Sequence, residues 1–172
     1  MRLIIVRHAK SSWNHPVLGD HERPLAPRGQ HATGLIGNWL MSRQFLPRQV
    51  ICSTAMRARE TWLGIGQHLP QPDIVQYCSG LYHASPACIA RIAAGAGLSP
   101  AMIVGHNPGF GDLAHFLCAD QCSHPGLGRY PTAATLVCDI DNADLASLVP
   151  GTARLVDFTV PRDLDREPDP AG

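Results

Sequence analysis

The sequence has no excess of charge of either sign, since fourteen Lys and Arg residues balance fourteen Asp and Glu residues in a chain of 172. Nucleic-acid-binding domains usually carry a strongly basic surface, so no nucleic-acid partner is expected and any positive site must be local. The longest apolar runs, such as residues 3–6, are far shorter than the roughly 20 residues of a membrane span. No secretory signal is recognisable, and we expect a cytoplasmic protein without membrane contact.

Paired cysteine motifs are also absent, because none of the six cysteines forms a C-x-x-C pair. Reduced, partly buried cysteines are therefore expected rather than a disulfide framework. One segment, His115, Cys118, Cys122 and His124, keeps a zinc-stabilised interaction domain open as an alternative. Zinc sites usually have tighter paired spacing, and one buried helix face equally explains the interval between the two cysteines. We predict neither a metal nor a cofactor.

The length corresponds to one domain, because domains usually span roughly 100–200 residues. We place this domain at residues 1–161 and expect the Pro- and Asp-rich residues 162–172 to form a flexible tail. A long polar segment, residues 10–27, interrupts the regular elements, and such loops in compact domains are usually functional or disordered.

Short aliphatic runs alternate with segments of helical periodicity along the chain. Such alternation predicts an α/β domain, a three-layer α/β/α sandwich with a largely parallel central sheet. Strands are predicted at residues 3–6, 50–52, 73–77, 101–104, 132–140 and 153–160, and helices at residues 28–41, 54–68, 85–94 and 108–119.

Three of the predicted strands end in unusual polar clusters. Arg7 and His8 follow the first strand, Arg57 lies one turn into the helix after the second, and His106 follows the strand at 101–104. Ligands of open α/β sheets bind outside the carboxyl ends of the strands. A parallel sheet would therefore bring two arginines and two histidines to one cleft.

Arg57 and Arg59 both lie in the first turn of a predicted helix, where the helix dipole disfavours a cation. A bound anion would compensate, although solvated arginines are the plainer alternative, more so for Arg59. Asn107 is a typical helix cap, which would leave backbone amides free for an anion.

Arginine matches phosphate oxygens, and a neutral histidine is a nucleophile, so the cleft predicts phosphoryl transfer through a phosphohistidine. No Gly-rich nucleotide loop and no acidic metal cluster accompany it.

These residues resemble a known family. Arg7-His8-Ala9, the segment from Ser53 through Arg57 to Thr61, and the segment from Val104 to Gly109 look like motifs of the histidine phosphatase (phosphoglycerate-mutase-like) superfamily. The runs Arg7–Trp13 and Arg23–Gly29 are similar to its small phosphohistidine-phosphatase branch, and the resemblance extends to about Pro161. It implies that His8 is the phosphorylated nucleophile, that Arg7 and Arg57 bind the phosphoryl oxygens, that His106 steadies the transition state, and that no metal is needed.

The sequence departs from the superfamily in two places. Ala9 replaces the glycine of the R-H-G motif, which is a small change. The carboxylate that serves larger members as general acid is missing, because no Asp or Glu occurs between Asp73 and Asp112. An imidazole leaves more readily than an alkoxide, so a weaker donor such as His83 or solvent can suffice, which favours a phosphohistidine substrate. Asp20 or Glu22 of the long loop could still act as the acid.

The expected function is thus a metal-independent phosphatase acting on phosphohistidine in a partner protein of the histidine-containing phosphotransfer type. A small-molecule phosphomonoesterase or mutase on a phosphorylated metabolite remains an alternative, as does a non-catalytic phosphate-binding module. Five further polar residues are candidates for substrate contacts: Ser11, Ser12, Asn14, Arg23 and Asn107.

Overall fold

A six-stranded sheet forms the centre of the computed structural model, which describes residues 1–14, 17–147 and 150–165. Its strands are short, with five or six residues each. They are β1 (Arg2–Arg7), β2 (Gln49–Ser53), β3 (Ile74–Cys78), β4 (Ala101–Gly105), β5 (Thr135–Asp139) and β6 (Arg154–Thr159).

The strands lie in the order β3-β2-β4-β1-β5-β6. The first four of these run parallel to their neighbours, whereas β5 pairs antiparallel with both β1 and β6. The sheet is therefore largely parallel, as predicted. Because β4 lies between β1 and β2, the three strands that end in polar clusters are direct neighbours.

Helices cover both faces of the sheet. One layer holds α1 (Pro27–Ser42), α2 (Met56–Gly66) and α7 (Pro161–Leu164), and the other holds α3 (Pro86–Ala94), α4 (Gly109–Cys118), α5 (Gly126–Arg129) and α6 (Asn142–Ser147). The predicted single α/β domain with three layers is confirmed. No helix in the described part of the chain is long and apolar enough to cross a membrane.

Strand β1 shows why an uninterrupted aliphatic run folds in this way. Leu3 and Ile5 enter the core beneath α3 and α4, whereas Ile4 and Val6 enter the core beneath α1 and α2. Alternate side chains of a strand point to opposite faces, so a strand covered on both sides must be apolar throughout. The polar residues Arg7 and His8 therefore follow at the point where the aliphatic run of β1 ends.

The structure differs from the predicted elements mainly after residue 120. The predicted strand at 132–140 begins only at Thr135, because Tyr130 and Ala133 adopt positive φ angles of 39° and 60°. The short helices α5, α6 and α7 were not predicted, since four to six residues carry too little periodicity.

The segment predicted as a tail is partly ordered. Helix α7 contacts α1, and Asp165 lies 3.0 Å from His31 Nε2. The boundary at residue 161 therefore falls at the first residue of a packed helix rather than at the end of the domain. The rest of the predicted tail, residues 166–172, lies outside the described residues.

Candidate active site

The polar clusters at the ends of β1, β2 and β4 meet in one cleft. The backbone N–H of His8 donates to the carbonyl of Gly105 at 2.9 Å, which joins the ends of β1 and β4. The rings of His8 and His106 are 5.0 Å apart, and Arg57 Nε donates to His8 Nε2 at 3.2 Å. The structure thus brings His8, Arg57 and His106 together as the parallel sheet predicted, and Arg7 directly precedes His8.

His8 is held as a neutral imidazole with one defined lone pair. Its Nδ1 lies 2.8 Å from the carbonyl of Ala9, which can only accept, so Nδ1 carries the proton. The Nε2 lone pair therefore faces the Arg57 Nε–H. Burial, and then the charges of Arg57, Arg7 and Arg23, lower the pKa of His8 to about 4. At neutral pH Nε2 thus keeps the lone pair that a nucleophile needs, which here accepts from Arg57 Nε–H.

His106 is also neutral, and one of its ring nitrogens is anchored. Its Nε2 lies 2.8 Å from Ser53 Oγ, at the fully buried end of β2. Its Nδ1 is buried and has no hydrogen-bond partner among the described residues. Burial, followed by the nearby His8 and Arg57, lowers the pKa of His106 to about 3. The ring therefore keeps unused hydrogen-bonding capacity beside His8.

Arg7 is fixed by a backbone carbonyl instead of a carboxylate. Its Nη1 donates to the carbonyl of Tyr130 at 2.8 Å, and its buried Nε has no partner in the described part of the chain. The side-chain amide of Asn107 donates to the same carbonyl at 3.0 Å, and the Asn107 Oδ1 accepts from Gly111 N. Asn107, predicted to contact substrate, thus uses both polar groups within the protein and supports the carbonyl that positions Arg7.

Arg57 lies at the second position of α2 and is only 4% exposed. Its Nη1 donates to the backbone carbonyl of Asp20, and its Nη2 donates to Asp20 Oδ2 at 2.9 Å. Thr61, one turn further, donates to the Arg57 carbonyl at 2.6 Å and accepts from Ala9 N at 2.9 Å. This hydroxyl ties the start of α2 to the segment that carries His8.

Asp20 brings the long loop into the cleft. It begins a 3₁₀ turn, Asp20–Glu22, and its carboxylate accepts from the Tyr82 hydroxyl at 2.7 Å and from Arg23 Nη1 at 2.9 Å, in addition to Arg57. The Tyr82 hydroxyl, and then Arg23 and Arg57, hold the pKa of this carboxyl well below its usual range. Asp20 therefore occupies both outer nitrogens of Arg57, Nη2 through its ionised carboxylate and Nη1 through its backbone carbonyl.

The comparisons with known proteins agree with this geometry. Residues 3–79 match the model of the histidine phosphatase superfamily, branch 1. The chain belongs to the histidine phosphatase superfamily. It is therefore an enzyme of the phosphatase class, and the alternative of a non-catalytic phosphate-binding module is not supported.

Similar proteins match over nearly their whole length. The uncharacterized protein Rv1276c of Mycobacterium tuberculosis is 34% identical over 164 residues, which cover 91% of this chain and 100% of that protein. SixA from Agrobacterium tumefaciens, a proposed phosphohistidine phosphatase, is 27% identical with a TM-score of 0.78 and covers 92% of this chain and 97% of its own. The protein histidine phosphatase SixA in complex with tungstate shares the fold, with a TM-score of 0.77, 21% identity, and coverage of 95% and 99%.

In this histidine phosphatase, the remaining loop candidates form a network around Arg23. The Arg23 guanidinium donates to Ser11 Oγ at 2.7 Å and to the Ser12 carbonyl at 3.0 Å, and it stacks 3.2 Å from the centre of the Trp13 ring. The Ser12 hydroxyl accepts from the backbone N–H of Asn14 at 3.1 Å. Arg23 is thus placed beside the cleft by Asp20 and Ser11, while Ser12 and Asn14 contact each other within the loop.

Two of the possible proton donors lie at the cleft. His83 Nε2 is 3.9 Å from Asp20 Oδ2, and the His83 ring is 6.2 Å from that of His106. The His83 side chain is 60% exposed, which leaves it open to solvent protons. Glu22, by contrast, lies 3.8 Å from His21 and is mostly exposed. The geometry therefore favours His83 or Asp20 over Glu22.

The possible zinc ligands of this histidine phosphatase do not come together. Cys118 is buried on α4, whereas His124 Nε2 lies 3.0 Å from Asp163 Oδ2 in the opposite helical layer. No group of three or more His, Cys, Asp or Glu side chains among residues 1–14, 17–147 and 150–165 is arranged to hold a metal ion. A zinc-stabilised domain is therefore not supported.

Some residues that shape the site were not among the candidates. Ser53 anchors His106, Thr61 links α2 to β1, and the Tyr130 carbonyl holds Arg7. Ser53 could have been found, because it ends the strand that precedes Arg57 and its hydroxyl follows a buried run. The Tyr130 carbonyl carries no side-chain signal, since its place depends on a left-handed backbone.

Proposed function

We propose that this phosphatase works through a phosphohistidine formed on His8 and that its substrate is phosphohistidine in a partner protein. The observation that carries the proposal is the orientation of His8, whose Nε2 lone pair faces Arg57 because Nδ1–H is bound to the Ala9 carbonyl. A nucleophile that is neutral, oriented and surrounded by guanidinium groups suits attack on a phosphoryl group.

The proposed reaction has two displacements at phosphorus. In the first, His8 Nε2 forms a bond to phosphorus as the bond to the leaving group breaks, and the ring gains a positive charge that the Ala9 carbonyl stabilises. In the second, water attacks phosphorus, the P–Nε2 bond breaks, and inorganic phosphate leaves. Arg7, Arg57 and His106 are assigned to the equatorial oxygens, where charge is spread in such transition states.

Phosphate binding requires a change at Arg57. Both of its Nη groups bond to Asp20, one to the carbonyl and one to the carboxylate. A phosphoryl group that takes these donors must displace the Asp20 carboxylate or be repelled by it, because both are anions. We therefore assign Asp20 the role of an internal anion that occupies the phosphoryl pocket of the free enzyme.

We propose phosphohistidine as the substrate because its leaving group, an imidazole, needs less help from a proton donor. The carboxylate nearest the cleft, Asp20, is bound by Tyr82, Arg23 and Arg57 and so is a poor proton donor in this arrangement. A leaving imidazole needs less help than an alkoxide, and the exposed His83 or solvent can supply its proton. Similarity to the SixA proteins supports the same substrate class. If Asp20 instead leaves the arginines when substrate binds, it could serve a second candidate function, hydrolysis of a small phosphorylated metabolite.

A substrate panel tests the proposal. Turnover of a phosphorylated histidine-containing phosphotransfer protein would be compared with that of sugar phosphates and an aryl phosphate, with EDTA present throughout. We expect kcat/KM to be highest for the phosphoprotein and unaffected by EDTA. A higher kcat/KM for a sugar phosphate would instead favour the small-molecule candidate.

A further inference from the structure

A second pocket, here called the basic cavity, lies between α1, α5 and α7. Its volume is about 300 Å³. The apolar part of its lining, here called its floor, includes the buried Ala32 and Val160. Four cationic side chains surround this floor: Lys10, Arg28, Arg129 and Arg162. All four are exposed, so a ligand can reach them from solvent.

These four cations share one cavity and have no carboxylate partner among the described residues. Arg7, Arg59 and Arg91 also lack such a partner, but none of them lines the cavity. In the described part of the chain, none of the four cavity cations forms an ion pair or a side-chain hydrogen bond, whereas six other arginines are paired with Asp: Arg2, Arg23, Arg43, Arg48, Arg57 and Arg154. Two acidic residues of the α7 segment, Asp163 and Asp165, are paired with His124 and His31 rather than with these cations. Because the whole chain has no net charge, this is a local concentration of positive charge around one pocket.

The basic cavity adjoins the catalytic cleft. Lys10 is two residues from His8, a separation of about 7 Å in extended chain. On the other side, Pro131 and Thr132 line the cavity directly after Tyr130, whose carbonyl holds Arg7, and Ala133 N donates to the His8 carbonyl at 3.2 Å. The segments that carry His8 and hold Arg7 therefore also line the basic cavity.

We propose that the basic cavity binds carboxylates of an acidic segment that flanks the phosphohistidine of the partner protein, an inference that rests on the proposed function. The exposed cations would pair with Asp or Glu side chains, while the apolar floor would receive an aliphatic or aromatic side chain between them. A free phosphate ion would use the charges but not the floor. The combination therefore favours a peptide over a small anion.

Two phosphohistidine peptides of equal length test this, one with Glu and one with Gln on both sides of the phosphohistidine. We expect the wild-type enzyme to prefer the Glu peptide by about tenfold in kcat/KM, and an Arg129→Gln/Arg162→Gln double variant to lose about three- to tenfold of that preference, as expected for exposed charge pairs. Arg91→Gln is the control, because Arg91 is an exposed cation on α3, which contributes no residue to the basic cavity. It should keep the preference.

Equal kcat/KM for the two peptides, or a preference that survives in the double variant, would overturn the inference. An equal loss in Arg91→Gln would also overturn it, because net charge alone would then explain the effect. If neither peptide is hydrolysed while an aryl phosphate is, the proposed function fails instead. Binding of acidic peptides to the basic cavity is then tested separately, by fluorescence anisotropy with the labelled, unphosphorylated Glu peptide. The inference stands only if the double variant binds this peptide more weakly than the wild type.

Discussion

Replacing Asp20 by Asn should make this phosphatase bind inorganic phosphate more tightly. In the structure the Asp20 carboxylate accepts hydrogen bonds from Arg57 and Arg23. Arg57 in turn donates to His8 Nε2. A phosphate ion that uses Arg57 must compete with this carboxylate. Asparagine has nearly the same shape and can still accept from the Tyr82 hydroxyl, but it carries no charge. The variant therefore removes the competing anion and leaves the donors in place.

The size of the effect follows from the two ion pairs that phosphate must weaken. The Asp20 side chain is 45% exposed, so each pair should be treated as an exposed one. Exposed pairs typically contribute 0.2–1 kcal/mol, which gives about 0.4–2 kcal/mol for two of them. Since 1.4 kcal/mol corresponds to a factor of ten, the inhibition constant of phosphate should fall by about 2- to 30-fold. Repulsion between Asp20 and the bound anion acts in the same direction.

The measurement is the competitive inhibition constant of phosphate against an aryl phosphate substrate, at fixed ionic strength. Glu22→Gln is the matched control, because it removes the same charge from the same 3₁₀ turn but from a side chain that contacts His21 rather than Arg57. Its inhibition constant should stay close to that of the wild type. An unchanged or larger constant in Asp20→Asn would refute the reasoning and show that Asp20 helps to present Arg57 to the anion.

Three further predictions concern the nucleophile and its support. His8→Ala should lower kcat by about 10³-fold or more, and rapid-quench labelling of the wild type should trap an acid-labile, base-stable phosphoenzyme; an acid-stable adduct would contradict the assignment. Because the pKa of His8 in the folded enzyme is about 4, below its ordinary 6.5, the neutral ring persists down to about pH 4 and is lost below it. The acidic limb of kcat/KM, corrected for substrate ionisation, should therefore lie near pH 4, and a limb near pH 6.5 would be inconsistent with a buried neutral His8. Ser53→Ala should reduce kcat by about tenfold, because His106 loses its hydrogen bond, and a wild-type kcat would assign Ser53 no part in positioning that ring.

The fold and the four central residues could be predicted because both depend on short-range patterns. Strands that are covered on both faces need continuous aliphatic residues, so the ends of β1, β2 and β4 are visible as the points where Arg7, Ser53 and His106 interrupt them. A parallel arrangement then places these ends at one edge of the sheet. No pairwise contact has to be known for that step, since chain direction alone brings the clusters together.

The contacts that orient the site could not be predicted, because they depend on loop backbone. The Tyr130 carbonyl reaches Arg7 only because Tyr130 adopts a positive φ, which a bulky residue rarely shows. Asp20 reaches Arg57 across 37 residues of sequence through a short 3₁₀ turn that no periodicity marks. Asn107 was expected to cap a helix, and its Oδ1 does accept from Gly111 N in the first turn of α4. That its side-chain amide donates to the Tyr130 carbonyl could not be predicted.

The position of Asp20 also explains how the guanidinium of Arg57 can be buried without destabilising the folded enzyme. Arg57 is almost fully buried, and a buried guanidinium without partners is strongly destabilising. In the free enzyme its Nη groups are satisfied by Asp20, and in the complex they would be satisfied by phosphate. The same carboxylate therefore stabilises the empty pocket and weakens binding of the product anion. In the proposed reaction, hydrolysis ends with inorganic phosphate bound at Arg57. A carboxylate that returns to Arg57 would then favour release of the product, which gives the loop a reason to carry an acid at this position without a role as proton donor.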